Sequence, residues 1–288
     1  MGGWRAARLT LASLALAWLV PGTGASAAAP RVVSLDLCSD QFVLAMADAA
    51  QVAAVSKVAD DPNLSPLAAR ARTLPKHRGT AEEILLLRAD LAIGGGFARR
   101  ATMDMLGRVG VTVLRIPPIT RLADLPAQME RVAKALGHPD RGARLADDIR
   151  ARLDGRARPA ASGATIGVYR PGGTMPGEGT LVADMVSAVG YRLLNIGRGA
   201  RVAVPLEVLV LQPPDLLIID SRRGDRPAMN QAMLDHPALR PQAGGMAVAD
   251  FPLRYWFCNS PASSEGLDVL EAEIARNLPA SAGQGRSR

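Results

Sequence analysis

Apolar and polar positions divide the chain into short buried strands and amphipathic helices. Arg31-Val32-Val33-Ser34-Leu35 predicts a buried strand, Asp36 to Asp40 a loop, Gln41 to Ala49 a helix and Val52 to Ser56 a second strand. A helix from about Arg99 to Val109 ends at Gly110 and leads into a strand at Val111–Ile116. From Leu122 to Ala135 and from Arg141 to Arg156 only helical spacing remains, as in Leu145, Ile149 and Leu153. Alternation resumes with a strand at Thr165–Tyr169, a helix capped by Thr180 that ends at Gly190, and an extended piece over Tyr191–Ile196. Further on the pattern predicts a helix at Met229–Leu234, a turn at His236-Pro237, a strand at Met246–Ala249 and a closing helix over Pro261–Leu278. Alternating strands and helices imply mostly parallel sheets flanked by helices.

One unit occurs twice. Glu82-Glu83-Ile84-Leu85-Leu86-Leu87-Arg88-Ala89-Asp90-Leu91-Ala92-Ile93 matches Glu207-Val208-Leu209-Val210-Leu211-Gln212-Pro213-Pro214-Asp215-Leu216-Leu217-Ile218. In each, a Glu opens a short apolar helix, an Asp-Leu pair follows eight residues later, and a β-type run ends in a loop. Thr80 can cap the first of these helices, with Glu83 placed for a capping box. Two copies are too few for a solenoid, so the repeat predicts two similar α/β lobes with a cleft between them. The lobes are expected at 30–121 and 163–278, with a tail at 279–288. Residues 122–158 read either as a helical connector or as two packing helices of the first lobe. Ligands of such sheets sit beyond the carboxyl ends of the strands, so the loops at 36–40, 57–63, 94–100 and 116–121 form the expected mouth of the first lobe.

Composition sharpens this picture in two places. Apolar residues make up 48% of the 288, enough for real cores, whereas aromatics make up only 3%. The net charge of +7 is scattered as arginine, without a basic block interleaved with aromatics, which argues against nucleic acid as a partner. Residues 1–27 carry a signal-peptide pattern: Arg5 and Arg8, an apolar run from Leu9 to Val20, a Pro21-Gly22 break and small residues at Ala25-Ser26-Ala27. The run is too short to span a bilayer, and cleavage near Ala27 would release an exported chain.

The leader, the strand Arg31–Leu35, the two Glu…Asp-Leu units and the helical middle resemble the periplasmic solute-binding proteins of iron-complex and vitamin B12 ABC importers. Tyr169-x-Pro171-x-Gly173, followed by Gly177-x-Gly179-Thr180-Leu181, resembles that family's entry into its second lobe. The resemblance implies two α/β lobes bridged by a long helix, a metal chelate of the ferric siderophore type held between them, and delivery to an inner-membrane permease by a monomer. Cobalamin or haem is the alternative ligand, and a sensor without transport is a second alternative. It further implies that Glu82 and Glu207 dock on the permease; both are also helix N-terminal charges that complement the helix dipole.

Candidate ligand-binding residues at the cleft loops are Asp36, Cys38, Phe97, Arg99, Tyr169, Arg170, Arg198, Arg222 and Trp256. Arginine suits carboxylates and other anionic oxygens. Trp256 lies in the densest aromatic cluster of the chain and reads as an aromatic wall or as core. Thin aromatic content tilts the reading from cobalamin towards a ferric chelate. Cys38 and Cys258 fall one per lobe near the cleft, and export favours their pairing over two separate thiols. His77, His138 and His236 are far apart, so no bare-metal site and no cofactor are expected. Neither Gly-x-Ser-x-Gly nor a phosphate loop occurs, and Asp147-Asp148 point apart on a helix, so the chain does not read as an enzyme.

Overall fold

The computed structural model describes residues 29–156, 163–170, 173–219 and 246–278. Outside them lie the expected signal peptide of residues 1–27, Pro171, Arg222, the helix expected at Met229–Leu234, the turn expected at His236-Pro237 and the tail expected at 279–288. Among the described residues no helix is long and apolar enough to cross a membrane.

The first lobe is built on a five-stranded parallel sheet. Its strands are β1 (Val32–Ser34), β2 (Val52–Ser56), β3 (Lys76–His77), β4 (Leu91–Gly94) and β5 (Thr112–Arg115), in the order β3-β2-β1-β4-β5. The second lobe is a four-stranded parallel sheet of β6 (Thr165–Tyr169), β8 (Arg192–Leu193), β10 (Leu216–Ile219) and β11 (Ala247–Asp250), in the order β11-β10-β6-β8. Read from the other edge, this order repeats the first: β8 takes the place of β2, β6 of β1, β10 of β4 and β11 of β5. A small antiparallel ribbon, β7 (Thr174–Met175) with β9 (Val202–Ala203), is added to the second lobe.

The duplicated Asp-Leu has a physical role in that symmetry. The Asp90 carboxylate accepts the Arg31 N–H at 2.8 Å, while the Asp90 N–H donates to the Arg31 carbonyl at 2.8 Å. The Asp215 carboxylate accepts the Thr165 N–H at 2.7 Å, and the Asp215 N–H donates to the Thr165 carbonyl at 2.9 Å. Each aspartate thus ties the start of one central strand to the start of its neighbour. Register follows, with Val32 opposite Leu91 and Ile166 opposite Leu216.

The helices preceding these strands are α3 (Ala81–Leu86) and α8 (Leu206–Leu211). Thr80 caps α3 by accepting the Glu83 N–H at 3.3 Å. The expected box closes differently: the Glu83 carboxylate reaches past Thr80 to the Arg78 N–H at 2.7 Å.

Helix α1 (Leu37–Met46) begins earlier than the pattern predicted, so residues 37–40 are its first turn and not a loop. Asp36 and Ser39 form its capping box, with the Ser39 N–H 2.8 Å from the Asp36 carboxylate. The remaining described helices are α2 (Ala68–Ala71), α4 (Arg100–Arg108), α5 (Leu125–Ala135), α6 (Pro139–Asp154), α7 (Leu181–Ala188) and α9 (Ala262–Asn277).

The helical middle packs against both lobes. Leu125, Met129, Val132, Ala146 and Ile149 bury the inner faces of α5 and α6 in the first lobe's core. Toward the second lobe, Leu122 packs in the other core, and its N–H donates to the Asp184 carboxylate at 2.7 Å. Arg152 pairs with Asp268 of α9, and Arg156 with Asp268 and Glu271.

Candidate ligand site between the lobes

A pocket of about 590 Å³ opens where the carboxyl-end loops of the two sheets face each other. The first lobe contributes Phe42 of α1, Gly95-Gly96-Phe97 after β4, and Ile116 to Thr120 after β5. The second contributes Arg170 after β6, Thr174 of β7, Gly179 to Val182 at the start of α7, Arg201 before β9, and Leu253, Trp256, Phe257 and Asn259. Most of this wall is carbon, as expected of a site that removes a bulky ligand from water.

The Gly95-Gly96-Phe97 loop is held from behind. The Asp36 carboxylate, only 6% exposed, accepts the Gly95 and Phe97 N–H groups at 3.0 and 3.1 Å as well as capping α1. A Cβ at Gly95 would sit 3.1 Å from that carboxylate, so glycine permits the approach. The loop carries Phe97 across the cleft, where its ring stacks on Phe257 with centroids 5.1 Å apart and planes 10° from parallel.

Beside the stack, Cys38 at the start of α1 and Cys258 of the second lobe form a disulfide, with Cα atoms 4.9 Å apart. Asn259 donates to the Ile119 carbonyl at 2.6 Å, and Arg254 to the Pro62 carbonyl at 3.3 Å. One side of the cleft is therefore pinned by covalent, aromatic and hydrogen-bonded links.

Among the described residues the charge of the pocket is positive. Arg170 and Arg201 line it, and the described lining residues include no Asp or Glu. Arg170 reaches the Ala200 carbonyl through Nη1 at 3.2 Å, and its buried Nε meets no acceptor among the described residues. Burial, and then the charge of Arg201, hold its guanidinium below the ordinary arginine value. Arg201 is placed by a tight crossing: the Gly177 N–H donates to Gly199 at 2.8 Å and the Glu178 N–H to Gly197 at 2.9 Å. A Cβ at Gly177 would strike the Gly197 carbonyl, so any larger side chain would push this loop away. Three more lining residues hold buried polar atoms without a described protein partner: Gln128 Oε1, Thr174 Oγ1 and Trp256 Nε1.

The family profile described as "Periplasmic binding protein" matches residues 32–243, well over half of the chain. The chain belongs to the periplasmic binding protein family. Solved structures of similar fold include the periplasmic heme-binding protein RhuT from Roseiflexus sp. RS-1, at 23% identity and a TM-score of 0.67, covering 89% of this chain and 100% of that one. The vitamin B12 binding protein BtuF of Vibrio cholerae is 17% identical with a TM-score of 0.67, covering 85% and 96%. An Fe3+-hydroxamate transport protein from Saccharomonospora viridis DSM 43017 is 19% identical with a TM-score of 0.65, covering 86% and 94%. These likenesses concern the fold: two lobes and a helical bridge. Comparison with curated protein sequences finds no match.

Within this periplasmic binding protein the candidate residues separate clearly. Cys38, Phe97, Arg170 and Trp256 line the pocket. Asp36 stands behind its wall, committed to backbone hydrogen bonds. Tyr169 is adjacent to Arg170 but, as strand neighbours do, points the opposite way, into the core with Met175 and Leu217. Arg99 is an exposed residue ahead of α4, and Arg198 projects into solvent, 3.9 Å from Glu178. Arg222 lies outside the described residues.

The Trp256 alternatives merge, since the ring is 2% exposed, packs edge-on against Phe251 and still forms pocket wall. His77 is buried behind β1, its Nε2 2.5 Å from the Ser34 carbonyl, and His138 contacts Gln51 and Asp48. The candidate residues did not include Arg201, Gln128, Phe257 or Asn259. Arg201 shares a Gly-rich loop with Arg198, and the pairing of that loop with β7, Gly177 and Glu178 decides which of the two faces inward.

Proposed function

We propose that this chain is the substrate-binding component of an ABC importer and that its interlobe pocket carries an anionic metal chelate of the ferric siderophore type. The observation that supports this is the pairing of Arg170 with Arg201 in an apolar, chelate-sized pocket whose described lining has no acidic residue. Two guanidinium groups held close together favour negatively charged oxygens, and charge-assisted bonds in a dry pocket are the strong kind. Heme, vitamin B12 and Fe3+-hydroxamate, named for the similar solved structures, are each a metal held in an organic chelate. Haem and cobalamin are the alternatives. Haem offers two carboxylates to the arginines.

The signal-peptide pattern of residues 1–27 supports export with cleavage near Ala27. Glu82 and Glu207 are both exposed, on the matched helices α3 and α8, and we assign them to docking on basic residues of the permease. Glu82→Ala with Glu207→Ala leaves ligand binding intact and abolishes uptake. Normal uptake by that double variant removes the docking assignment. Unimpaired ligand binding in a cell that never accumulates the chelate would favour a sensor.

The ligand is tested by thermal shift on the chain starting at Ala28, with ferric citrate, ferric hydroxamate siderophores, haem, cobalamin and zinc. A ligand at 100 times its dissociation constant adds about 2.7 kcal/mol. At this size that raises the midpoint by roughly 5–10 °C. A shift with a ferric chelate supports the proposal, one with cobalamin or haem alone promotes the alternative, and one with zinc alone overturns both.

A further inference from the structure

The duplicated helices share more than their glutamates. Leu86 is 84% exposed and Leu211 80% exposed, the two most exposed large apolar side chains among the described residues. Each lies four residues after its glutamate, Leu86 after Glu82 and Leu211 after Glu207. Residues four apart lie on one face of a helix, one turn from each other. Both helices therefore present the same two-part surface, a carboxylate and a leucine, and both glutamates are exposed.

A single exposed leucine needs no explanation. Two at one position of a duplicated unit are different, because the copies have otherwise diverged. The flanks changed from Arg88-Ala89 to Pro213-Pro214, and Glu83 became Val208. Folding does not account for these leucines. Ile84 and Leu209 are 1% exposed and already supply the buried anchors of the two helices. The first lobe adds exposed apolar area on the helix packed against α3, where Met105 is 42% and Val109 52% exposed.

We infer that Leu86 and Leu211 are paired apolar anchors for a membrane permease with two equivalent subunits, each offering a hydrophobic socket beside a basic side chain. This rests on the docking role proposed for Glu82 and Glu207. The two-lobed topology, in which β4 and β10 occupy matching sheet positions behind α3 and α8, supplies the twofold partner geometry. The chemistry of each half-site supplies the rest: the carboxylate selects a cation and steers the encounter, while the leucine buries carbon and slows release.

The test compares Leu86→Ser/Leu211→Ser with Glu82→Ala/Glu207→Ala, using the cognate permease reconstituted in nanodiscs and fluorescently labelled binding protein, at low and high salt. The leucines make little contact within the chain, so their double variant keeps the wild-type melting temperature, which serves as the folding control. It is expected to bind the permease roughly 100-fold more weakly, about tenfold per leucine. That loss should be the same at both salt concentrations, whereas the glutamate loss shrinks at high salt as screening weakens the wild-type contact. If the leucine variant binds like wild type while the glutamate variant does not, the leucine anchors are refuted and the docking role of the glutamates stands. If both variants bind like wild type, the docking role itself fails and the anchors fail with it.

Discussion

Replacing both Cys38 and Cys258 by alanine removes the covalent link between the lobes, and the size of the effect can be worked from chain length. The bond closes a span of 220 residues that includes the first lobe, the helical middle and most of the second lobe. Loop-closure entropy for a span of that size is about 5 kcal/mol, acting mainly on the unfolded chain. For a protein this large that corresponds to a fall in melting temperature of roughly 10–20 °C. Among the described residues the other contacts between the lobes include the Phe97–Phe257 stack, the hydrogen bonds from Asn259 and Arg254, Leu122 with Asp184, the packing of Leu64, Ile119, Leu122 and Leu153 against the second lobe's core, and the ion pairs of Arg152 and Arg156. The exposed ion pairs contribute little, up to about 1 kcal/mol each. The double variant should therefore also melt less cooperatively, as two lobes held loosely. The assay is calorimetry of the oxidised wild type, the wild type under reductant and the double alanine variant. A single transition within about 2 °C of the oxidised wild type would refute the reasoning, because the lobes would then be fixed without the bond.

Three further outcomes follow from the same structure. Arg170→Ala and Arg201→Ala each weaken a carboxylate-bearing chelate by roughly 10–100-fold, with a smaller effect on a neutral one, measured by titration calorimetry. Asp40 is buried, and desolvation raises its pKa to about 6 against the lowering effect of hydrogen bonds from Ser34 and Ser56. The folded protein thus holds a proton that the unfolded chain releases near pH 4, and this group's contribution to stability falls as pH rises from about 4 to about 6. Asp40→Asn removes that dependence, so the stability difference between wild type and variant should change by about 2 kcal/mol between pH 4 and pH 7 in urea titrations. Asp215→Ala should cost about 1–3 kcal/mol and more than Asp90→Ala in the same assay, because the hydrogen bonds to Thr165 are partly buried and those to Arg31 exposed.

The duplicated Glu…Asp-Leu unit was the most legible feature of the sequence because local chemistry determines it. An acidic helix start, an apolar face and an aspartate that ties two strand starts all lie within twelve residues. Thr180 shows the same locality, accepting the Ala183 N–H at 3.2 Å to cap α7 as its sequence position predicted.

Less local features were harder to read. The Asp36–Ser39 box moved the start of α1 into an expected loop and took Asp36 out of the pocket. Tyr169 and Arg170 looked equivalent in sequence, yet one step along a strand reverses the side-chain direction. Arg198 and Arg201 are separated by which backbone atoms of a glycine-rich loop pair with Gly177 and Glu178, a long-range fact that no local pattern encodes. Phe257 and Asn259 carry no local signal of their own, since only the partner lobe gives them a role.

Trp256 offers the most direct test of the central claim that the ligand sits between the lobes. The other two tryptophans, Trp4 and Trp18, precede Ala28, so a chain starting at Ala28 carries Trp256 alone, in the pocket wall. Its emission should be titrated with ferric citrate, ferric hydroxamate siderophores, haem and cobalamin, corrected for ligand absorption, in wild type and in Arg170→Ala. The account predicts saturable quenching at one ligand per chain, with a weaker dissociation constant in the arginine variant. A ligand that raises the melting temperature but leaves Trp256 emission unchanged, with the same affinity in both proteins, would place binding elsewhere and contradict the account.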